Sequence, residues 1–353
     1  MEGVIDRLVT ACGSSMCLDV DEQSQIGAAR RSAVALGRTQ NLDADALGRL
    51  AIVVTEAATN LVLHAGHGVI VLRCLTAGES PGIEVLALDK GPGIYDVERA
   101  MRDGYSTTGT AGRGLGGIKR LSDVFEMHSE RGMGTAVLAR VCERSAVMDR
   151  APRAQSLDDR LGVVCVPLRG ETECGDAWRV VAGKHRVAVM LVDGLGHGPE
   201  AASAAAAATA TFGQHAGRSP DDALVALDAA MRGTRGAAVS VVAIDEAVRS
   251  VKFCGVGNVD ARVFNHGPTE YLVPQNGIVG HGMPPVRCTD AAWHVGARLV
   301  MHSDGILAKW RMDAYGRLKT AHPALLAGVI FRDYSRGKDD ASVLVLADGT
   351  EGP

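Results

Sequence analysis

The sequence has few aromatic residues, little net charge and no long hydrophobic run. Aromatic residues make up 4% of the 353 residues, and the formal net charge is −4. The charges are spread evenly, so no basic surface exists of the kind that holds nucleic acid or an anionic membrane. No stretch reaches the roughly 18 strongly apolar residues of a transmembrane helix. We therefore expect partners that are neither nucleic acid nor membrane.

Cysteine pairs, a secretory signal and a P-loop are absent as well. The N-terminus lacks the basic and apolar regions of a signal peptide, and the eight cysteines contain no CxxC pair. We expect a cytoplasmic protein whose cysteines are reduced thiols. The pattern GxxxxGK[ST] does not occur, which excludes the P-loop class of nucleotide-binding enzymes.

The length of the chain suits two domains of ordinary size. Residues 144–159 lose hydrophobic periodicity and are mostly small or charged, which is typical of a linker. We predict an N-terminal domain over residues 1–143, a linker over 144–159 and a C-terminal domain over 160–353.

A glycine-rich stretch, residues 104–117, dominates the first half of the chain. It reads GYSTTGTAGRGLGG and runs into an apolar-periodic segment. Free backbone N–H groups and the positive dipole at such a helix start favour phosphate, and glycine lets the backbone approach the anion closely. A plain turn is the alternative, and the motif alone does not decide between them.

Two polar residues lie one turn apart on the helix predicted before this stretch. The helix begins at Asp43 and runs to about Ala65, with an apolar face at helical spacing. Glu56 and Asn60 lie on the opposite face among apolar neighbours, so they face a pocket or another layer. The equal alternative is that nearby backbone groups satisfy them.

A carboxylate follows the strand predicted at Ile83–Leu88. In Asp89-Lys-Gly-Pro-Gly, the acidic residue precedes a glycine turn that can present it to a ligand while the backbone makes room. These residue types also favour simple turns, which is the other interpretation. Two predicted strands, Val124–Ser129 and Ala136–Val141, then flank a turn that contains Thr135.

These motifs, in this order, resemble the GHKL (Bergerat) ATPase fold of histidine kinases and gyrase-type ATPases. The resemblance covers about residues 15–142, and GLGGIKRLSDVFEMHSERGMGTAV is most similar to switch kinases of the RsbT type and related RsbW-type anti-sigma factors. It implies ATP and Mg²⁺, with Asn60 as a metal ligand and Glu56 as general base. The other ATP-binding residues that it implies are Asp89, Gly91, Gly93, Gly112, Gly114, Gly116, Gly117 and Thr135.

The second half of the chain alternates β-branched runs with two central helices, predicted at Pro199–Ala216 and after Ser219. Another helix is predicted near Pro323–Phe331. Strands that bracket a helical pair suggest two sheets with helices outside. The expected fold class is α+β: a GHKL α/β sandwich followed by an α-β-β-α sandwich.

Acidic residues recur where these strands end. Carboxylates at strand ends can converge on one edge of a sandwich, and oxygen-only ligands suit Mg²⁺ or Mn²⁺. Each Asp-Gly taken alone is more often a turn, and His197 and His302 are expected to be structural. The acidic positions are Asp176, Asp193, Asp304 and Asp339, the last followed by Asp340.

This pattern resembles the SpoIIE-like branch of the PPM serine/threonine phosphatases over about residues 160–348, in a compact form close to the RsbX type. The matching stretches are Gly175-Asp176, VMLVDGLGHGPEAA, Ser303-Asp304-Gly305 and Asp339-Asp340-Ala-Ser342. The resemblance implies two Mn²⁺ or Mg²⁺ ions, bridged by Asp193 and completed by the Gly194 carbonyl and by three further carboxylates, those of Asp176, Asp304 and Asp339. Many relatives carry a further aspartate shortly after the Gly-Asp pair, and this chain has none there, which argues against a third metal.

The two resemblances together predict opposing activities on one chain. The first half would phosphorylate a serine or threonine, and the second would remove the phosphate. The implied partner is a STAS-domain anti-sigma antagonist or stressosome protein, with a sigma factor or a downstream phosphatase as further candidates. The alternative is an ATP-sensing module that sequesters a partner, fused to a phosphatase that alone turns over. A scaffold with decayed sites is disfavoured by the intact acidic residues.

Overall fold

The computed structural model describes residues 8–76, 81–101, 114–144 and 156–349. They form two compact units. The first comprises the described parts of Ser15–Ser156 together with Met312–Asp333, and the second comprises those of Met1–Ser14, Leu157–Arg311 and Tyr334–Pro353. Each unit therefore includes a segment from the other half of the chain. The continuous boundaries at 143 and 160 stay a prediction.

Strands and helices are numbered along the chain. The strands are β1 Val9–Cys12, β2 Met16–Val20, β3 Gly68–Leu75, β4 Gly82–Leu88, β5 Val124–Glu130, β6 Gly134–Cys142, β7 Leu161–Val166, β8 Asp176–Ala182, β9 Arg186–Gly194, β10 Ala237–Asp245, β11 Ser250–Val256, β12 Asp260–Phe264, β13 Glu270–Leu272, β14 Cys288–Ala292, β15 Arg298–His302 and β16 Ala341–Ala347. The α-helices are α1 Gln23–Thr39, α2 Ala44–Asn60, α3 Val97–Ala100, α4 Gly114–Leu121, α5 Leu157–Arg160, α6 Pro199–His215, α7 Pro220–Met231 and α8 Pro323–Tyr334.

The first unit is built on an antiparallel sheet in the order β2-β3-β4-β6-β5. Alternate residues of β4, such as Ile83 and Val85, share a core with the apolar faces of α1, α2 and α4. The Asp43 side chain accepts the Ala46 N–H and caps α2 at its start, as carboxylates at helix N-termini do. The helices and strands predicted in the N-terminal half of the sequence are present in the structure.

Helix α2 and the turn after it have the length and apolar composition of a membrane-crossing helix over Ala44–Ala65. Its residues Leu50, Val53 and Val54 are nevertheless fully buried in the core of the first unit. The apolar composition of α2 is therefore accounted for by its packing on the sheet.

The opposite face of this sheet is also buried. Strands β4 and β6 have no exposed residue, and Leu86 and Leu88 lie on this second face with Glu84. A Cβ placed on Gly328 of α8 would lie 3.1 Å from Leu88 and 3.2 Å from Leu86. Helix α8 therefore packs closely on the sheet at Gly328, where the absence of a side chain allows the close approach. Sheets buried on both faces read as near-continuous apolar runs, as GIEVLAL does.

A buried ion triad lies on the same face. Glu84 accepts from Arg73 at 2.9 Å and from Arg140 at 2.6 Å, and all three side chains are at most 3% exposed. Burial alone would raise the pKa of Glu84, but the two guanidinium groups outweigh it and lower that pKa to about 2. The negative charge of Glu84 is therefore paired with two positive charges inside the first unit.

The second unit contains two sheets, β1-β8-β9-β10-β11-β14 and β13-β12-β15-β16-β7. Helices α6 and α7 share a core with β8–β11, through residues such as Phe212 and Leu227. Strand β1 extends the first sheet by pairing with β8. The short strands β1, β2, β13 and β14 were not predicted from the sequence.

The expectation that all cysteines are reduced thiols is contradicted at one pair. Cys254 on β11 and Cys288 on β14 are joined in a disulfide, with Cα atoms 4.5 Å apart. They are direct partners in the antiparallel ladder, at the spacing of a non-hydrogen-bonded pair. A separation of 34 residues hides this pairing from a search for short cysteine motifs. The other six cysteines are not in disulfides.

Replacing Glu84 by glutamine should destabilise the first unit by about 3–5 kcal/mol, because it leaves two buried guanidinium groups without their counter-charge. The folded pKa of Glu84, about 2, lies below that of an unfolded glutamate, about 4.3. The stabilisation is therefore complete above the unfolded value and is lost as the pH falls toward 2. Urea unfolding followed by circular dichroism measures both effects.

The matched control for this prediction is Glu130→Gln, because Glu130 is half exposed and its contact with His128 is a surface one. Its effect should stay within about 0.5 kcal/mol. Equal unfolding midpoints for the two variants would show that the triad contributes nothing.

Candidate nucleotide and metal sites

The first candidate site lies where α2 ends and α4 begins. Glu56 and Asn60 lie one turn apart on α2, and both are half-buried. A Cβ placed on Gly114 would lie 3.3 Å from Asn60 Oδ1, so the first residue of α4 lies directly against the Asn60 amide. Gly116 and Gly117 follow, buried, in the first turns of α4. Gly112 lies outside the described residues.

The helix that carries Asn60 changes its winding immediately after it. Residues Leu61–Ala65 form a π-helix that ends at Gly66, whose φ is 80°. Turns of this kind are rare in proteins, and those that do occur are often found at functional sites. The apolar spacing predicted one continuous helix to Ala65, and that spacing gives no sign of the wider turn.

Asp89 lies at the other side of this site, after β4. Its Oδ1 accepts the Gly91 N–H at 2.8 Å and the Thr135 N–H at 3.1 Å. Burial raises the pKa of Asp89, and the two N–H donors oppose that rise. The Thr135 hydroxyl lies 2.9 Å from that of Ser129, which the sequence did not single out. One carboxylate oxygen is thus held by two backbone donors.

Glycines allow the backbone segments of this site to approach one another. A Cβ on Gly91 would lie 2.8 Å from Ala65, so the Asp89 turn packs against the end of the π-helix. Gly134 has a φ of 86°, and a Cβ there would overlap the Asp89 carbonyl oxygen. Gly93 has a φ of 71° and abuts the Glu130 carbonyl in the same way. Of the predicted residues, Asn60 therefore lies against Gly114, and Asp89 binds Gly91 and Thr135. The Gly91–Ala65 contact places the second group beside the π-helix that follows Asn60.

The second candidate site lies in the second unit, where β8 begins and β9 ends. Asp176 and Asp193 are direct partners across these strands. Asp176 is buried, and its Oδ2 accepts the Ser342 hydroxyl at 2.8 Å. The Gly194 N–H donates to the Gly175 carbonyl at 3.0 Å, which fixes the turn that carries Asp176 beside the end of β9.

Two further carboxylates come from the second sheet of this unit. The Asp304 charge and its backbone N–H lie close enough to the Asp193 carboxylate to act on the pKa of Asp193, and the Asp304 Oδ2 accepts from the Asn258 amide at 2.7 Å. Asp339 precedes β16 and accepts the Asp340 N–H at 2.9 Å. The structure therefore brings Asp304 beside Asp193 from a different sheet.

Asp340 differs from its neighbour Asp339 in burial and in contacts. It is buried, and its two oxygens accept the backbone N–H groups of Leu168 and Gly175, each at 2.7 Å. It thereby ties the loop before Asp176 to the start of β16. Asp340 holds the backbone of the site and Asn258 binds the Asp304 carboxylate. The spacing of the aspartates in the sequence does not indicate either contact.

Burial and the proximity of like charges both raise the pKa of carboxyl groups at this site. Burial and the neighbouring Asp304 carboxylate raise the pKa of Asp193 to about 7, with smaller contributions from Asp339 and Asp340. Burial and Asp193 likewise raise the pKa of Asp176. Such crowding favours either a proton or a cation between the carboxylates.

The donor set fits Mg²⁺ or Mn²⁺, because it consists of oxygens without cysteine or histidine. Among the described residues, one group of three ligand atoms lies within 4.8 Å: Asp221, Cys254 and Cys288. Its two sulfurs are joined in a disulfide and cannot bind an ion. The aspartates are spaced more widely, which leaves room for the water ligands that Mg²⁺ usually retains.

The histidines near this site have other contacts. His302 is buried beside Trp310, and its Nδ1 lies 3.0 Å from the Ser303 carbonyl. His197 is exposed, and its Nδ1 lies 2.9 Å from the Glu171 carboxylate. The structural role expected for both histidines stays a prediction.

Comparison with known proteins identifies both halves. Residues 20–141 match the model of the histidine kinase-like ATPase domain, and residues 183–347 match that of stage II sporulation protein E (SpoIIE). The chain is 41% identical over 91 residues to the serine/threonine-protein kinase RsbT of Bacillus subtilis, covering 26% of this chain and 68% of that protein. It is 27% identical over 140 residues to the phosphoserine phosphatase RsbX of the same organism, covering 39% and 69%.

Two further relatives complete the comparison. An anti-sigma F factor of Thermoanaerobacter sp. is 34% identical over 90 residues, covering 24% of this chain and 62% of that protein. A solved structure from work on the bacterial stressosome as a modular system, adapted to control secondary messenger signalling, has a TM-score of 0.51 and 27% identity. It covers 54% of this chain and 98% of that one.

The predicted fold class and both family resemblances are confirmed by these matches. The chain belongs to the family of RsbT-like proteins with a histidine kinase-like ATPase domain, here joined to a SpoIIE-like phosphatase domain of the PPM type.

Proposed function

We propose that this protein is a bifunctional partner-switch regulator of the cytoplasm. Its first unit phosphorylates serine or threonine on a STAS-domain regulator at the expense of ATP, and its second unit removes the phosphate. The observation that carries the proposal is the presence of two separate sites. One is built from an Asp-Gly turn and a helix N-terminus, and the other from crowded aspartates.

The nucleotide site supplies a separate contact for each part of ATP. Oδ1 of Asp89 is held by two backbone N–H groups, so Oδ2 would accept the adenine amino group, with Thr135 in support. The N-terminus of α4, with its glycines, offers backbone N–H groups to the phosphates. The Asn60 amide oxygen, adjacent to Gly114, would hold the Mg²⁺ that accompanies ATP.

Glu56 would act as the general base of phosphoryl transfer. It lies one helical turn before Asn60, so both side chains project from the same face of α2. A carboxylate there would accept the proton of the incoming serine or threonine hydroxyl. Positioning of the hydroxyl and of the phosphates supplies the rest of the rate enhancement.

The second site would hold two divalent cations. Asp193 would bridge them, with the Gly194 carbonyl, Asp304 and Asp339 as further ligands and Asp176 binding directly or through water. When bound, Mg²⁺ or Mn²⁺ would neutralise the phosphate and lower the pKa of a water ligand, which is the chemistry needed for phosphoester hydrolysis. Asn258 orients Asp304, and Asp340 fixes the loop before Asp176.

The target of both activities is proposed from the relatives. RsbT is named as a kinase and RsbX as a phosphoserine phosphatase, and the structural relative comes from work on the stressosome. A phosphate adds about −1.5 to −2 charges, enough to reshape a small protein interface. Joining both enzymes in one chain holds them at the same target at a high effective concentration.

A second candidate function is favoured by the similarity to anti-sigma F factors. In it, the first unit binds ATP and sequesters a partner such as a sigma factor, and only the phosphatase turns over. Incubation with a STAS-domain protein and γ-labelled ATP separates the two. The bifunctional proposal predicts label on that protein, and loss of the label when Mn²⁺ is added. Tight ATP binding without label supports the second candidate instead.

Replacing Glu56 by glutamine should lower phosphoryl transfer about 100- to 10,000-fold, because the amide cannot accept the hydroxyl proton. ATP affinity should change little, since Glu56 is not assigned a nucleotide contact. Transfer is measured with γ-labelled ATP, and affinity by calorimetry. Glu143→Gln serves as the control with an equal change of charge. Normal phosphoryl transfer by the Glu56→Gln variant would show that Glu56 is not the general base.

Replacing Asp193 by alanine, or Asp339 by asparagine, should lower phosphatase activity at least about 100-fold, because each change removes a proposed metal ligand. Hydrolysis of p-nitrophenyl phosphate with Mn²⁺ measures the effect, and ATP binding reports that the first unit is intact. Asp290→Asn, at an exposed position of β14, should retain activity. Full activity without Asp193 would exclude the bridging assignment.

A further inference from the structure

A segment whose sequence lies within the SpoIIE match belongs structurally to the first unit. Met312–Asp333 is grouped with the RsbT-like half, although the match to SpoIIE runs over residues 183–347. The segment contains a 3₁₀-helix, Met312–Lys319, and most of α8. Every residue from Pro323 to Phe331 is buried. Helix α8 is therefore an integral element of the unit that carries the nucleotide site.

Helix α8 is attached to the sheet near its start and at its middle. The His322 N–H, just before the helix, donates to the Glu126 carboxylate of β5 at 2.7 Å. A carboxylate is favourable at a helix N-terminus. Gly328 packs against Leu86 and Leu88 of β4. These contacts fix the rotation of α8 and its position along the sheet.

The last turn of α8 reaches the nucleotide site through Arg332. Its Nη1 donates to the Asp89 backbone carbonyl at 3.1 Å. Its Nε and Nη2 donate to the Asp333 carboxylate at 2.8 and 3.2 Å, and the Arg332 side chain is 5% exposed. The two hydrogen bonds to Asp333 fix the orientation of the planar guanidinium group. Its third nitrogen, Nη1, is therefore held toward the Asp89 carbonyl.

The carbonyl that Arg332 binds belongs to Asp89, the residue proposed to accept a hydrogen bond from the adenine amino group. The N–H of Asp89 donates to the Thr135 carbonyl at 2.9 Å, and Oδ1 of Asp89 accepts the Gly91 and Thr135 N–H groups. Arg332 therefore holds the third polar group of this residue. Its charge also opposes the rise in the pKa of Asp89 that burial causes.

We propose that Arg332 is a positioning residue of the nucleotide site: by holding the Asp89 carbonyl, it keeps the Asp89 carboxylate aimed at the adenine amino group. The inference rests on the proposed function of the first unit. It means that a segment from the phosphatase half of the sequence completes the ATP pocket. Arg332 itself does not contact the nucleotide.

The test is nucleotide affinity of the full chain with Arg332→Met, which keeps the apolar stem and removes all donors. We expect the Kd of ATP to rise about tenfold, as for a lost hydrogen bond to a charged donor. The Kd of GTP, which has no adenine amino group, should stay unchanged. Discrimination between ATP and GTP should therefore fall about tenfold. Arg317→Met, an exposed arginine of the same segment, should change neither value.

A second pair of variants tests whether Arg332 acts through Asp89. Asp89→Asn alone should abolish the preference for ATP, and adding Arg332→Met to it should cause no further loss, because the two residues act as one unit. Arg332→Lys retains one donor and should give an intermediate rise in the ATP Kd. If the methionine variant does not fold, the lysine variant decides, and an unchanged ATP Kd in it would overturn the inference.

The remaining outcomes are distinct. A wild-type protein that binds no ATP overturns the proposed function of the first unit and this inference with it. Wild-type binding of ATP with equal affinity in the methionine variant overturns the inference alone. Equal weakening of ATP and GTP, together with a lowered Tm, would show that Arg332 supports the fold rather than the adenine contact.

Discussion

Confinement of like charges is the constraint on which the proposed metal site depends. Asp176 and Asp193 face each other across β8 and β9, and Asp304 is brought beside Asp193 from the other sheet. Burial, together with the Asp304 charge, raises the pKa of Asp193 to about 7. The Ser342 hydroxyl holds the Asp176 carboxylate, and the Asn258 amide holds that of Asp304. These hydrogen bonds keep the carboxylates close together despite their repulsion. A cation held among these carboxylates, as proposed, would relieve the repulsion between them.

The first unit depends on a different constraint, which is that both faces of its sheet are buried. One face packs on α1, α2 and α4, and the other carries the Arg73–Glu84–Arg140 triad and the contact with α8. The sheet thus uses a helix encoded about 180 residues after β6. The chain enters α8 from the second unit and returns to it at Tyr334. The chain therefore passes between the two units at four points.

Much of this architecture could be predicted from the sequence. Periodicity located α1, α2, α6, α7 and α8, and the order of the glycine and aspartate motifs indicated both families. The π-turn after Asn60 could not be predicted, because it leaves the apolar spacing unchanged. The assignment of α8 to the first unit and the Cys254–Cys288 pairing depend on contacts between distant segments, which one sequence does not reveal. The roles of Asn258, Asp340 and Arg332 were missed for the same reason, since each acts through a tertiary hydrogen bond.

We propose that one chain holds a nucleotide site and a separate two-metal site. Anomalous diffraction from crystals grown with Mn²⁺ and a non-hydrolysable ATP analogue tests it most directly. We expect one Mn²⁺ beside Asn60 and the phosphates, adenine against Asp89, and two Mn²⁺ ions among Asp193, Asp304 and Asp339. Manganese absent from the aspartate cluster, or nucleotide bound away from Asp89, would contradict it.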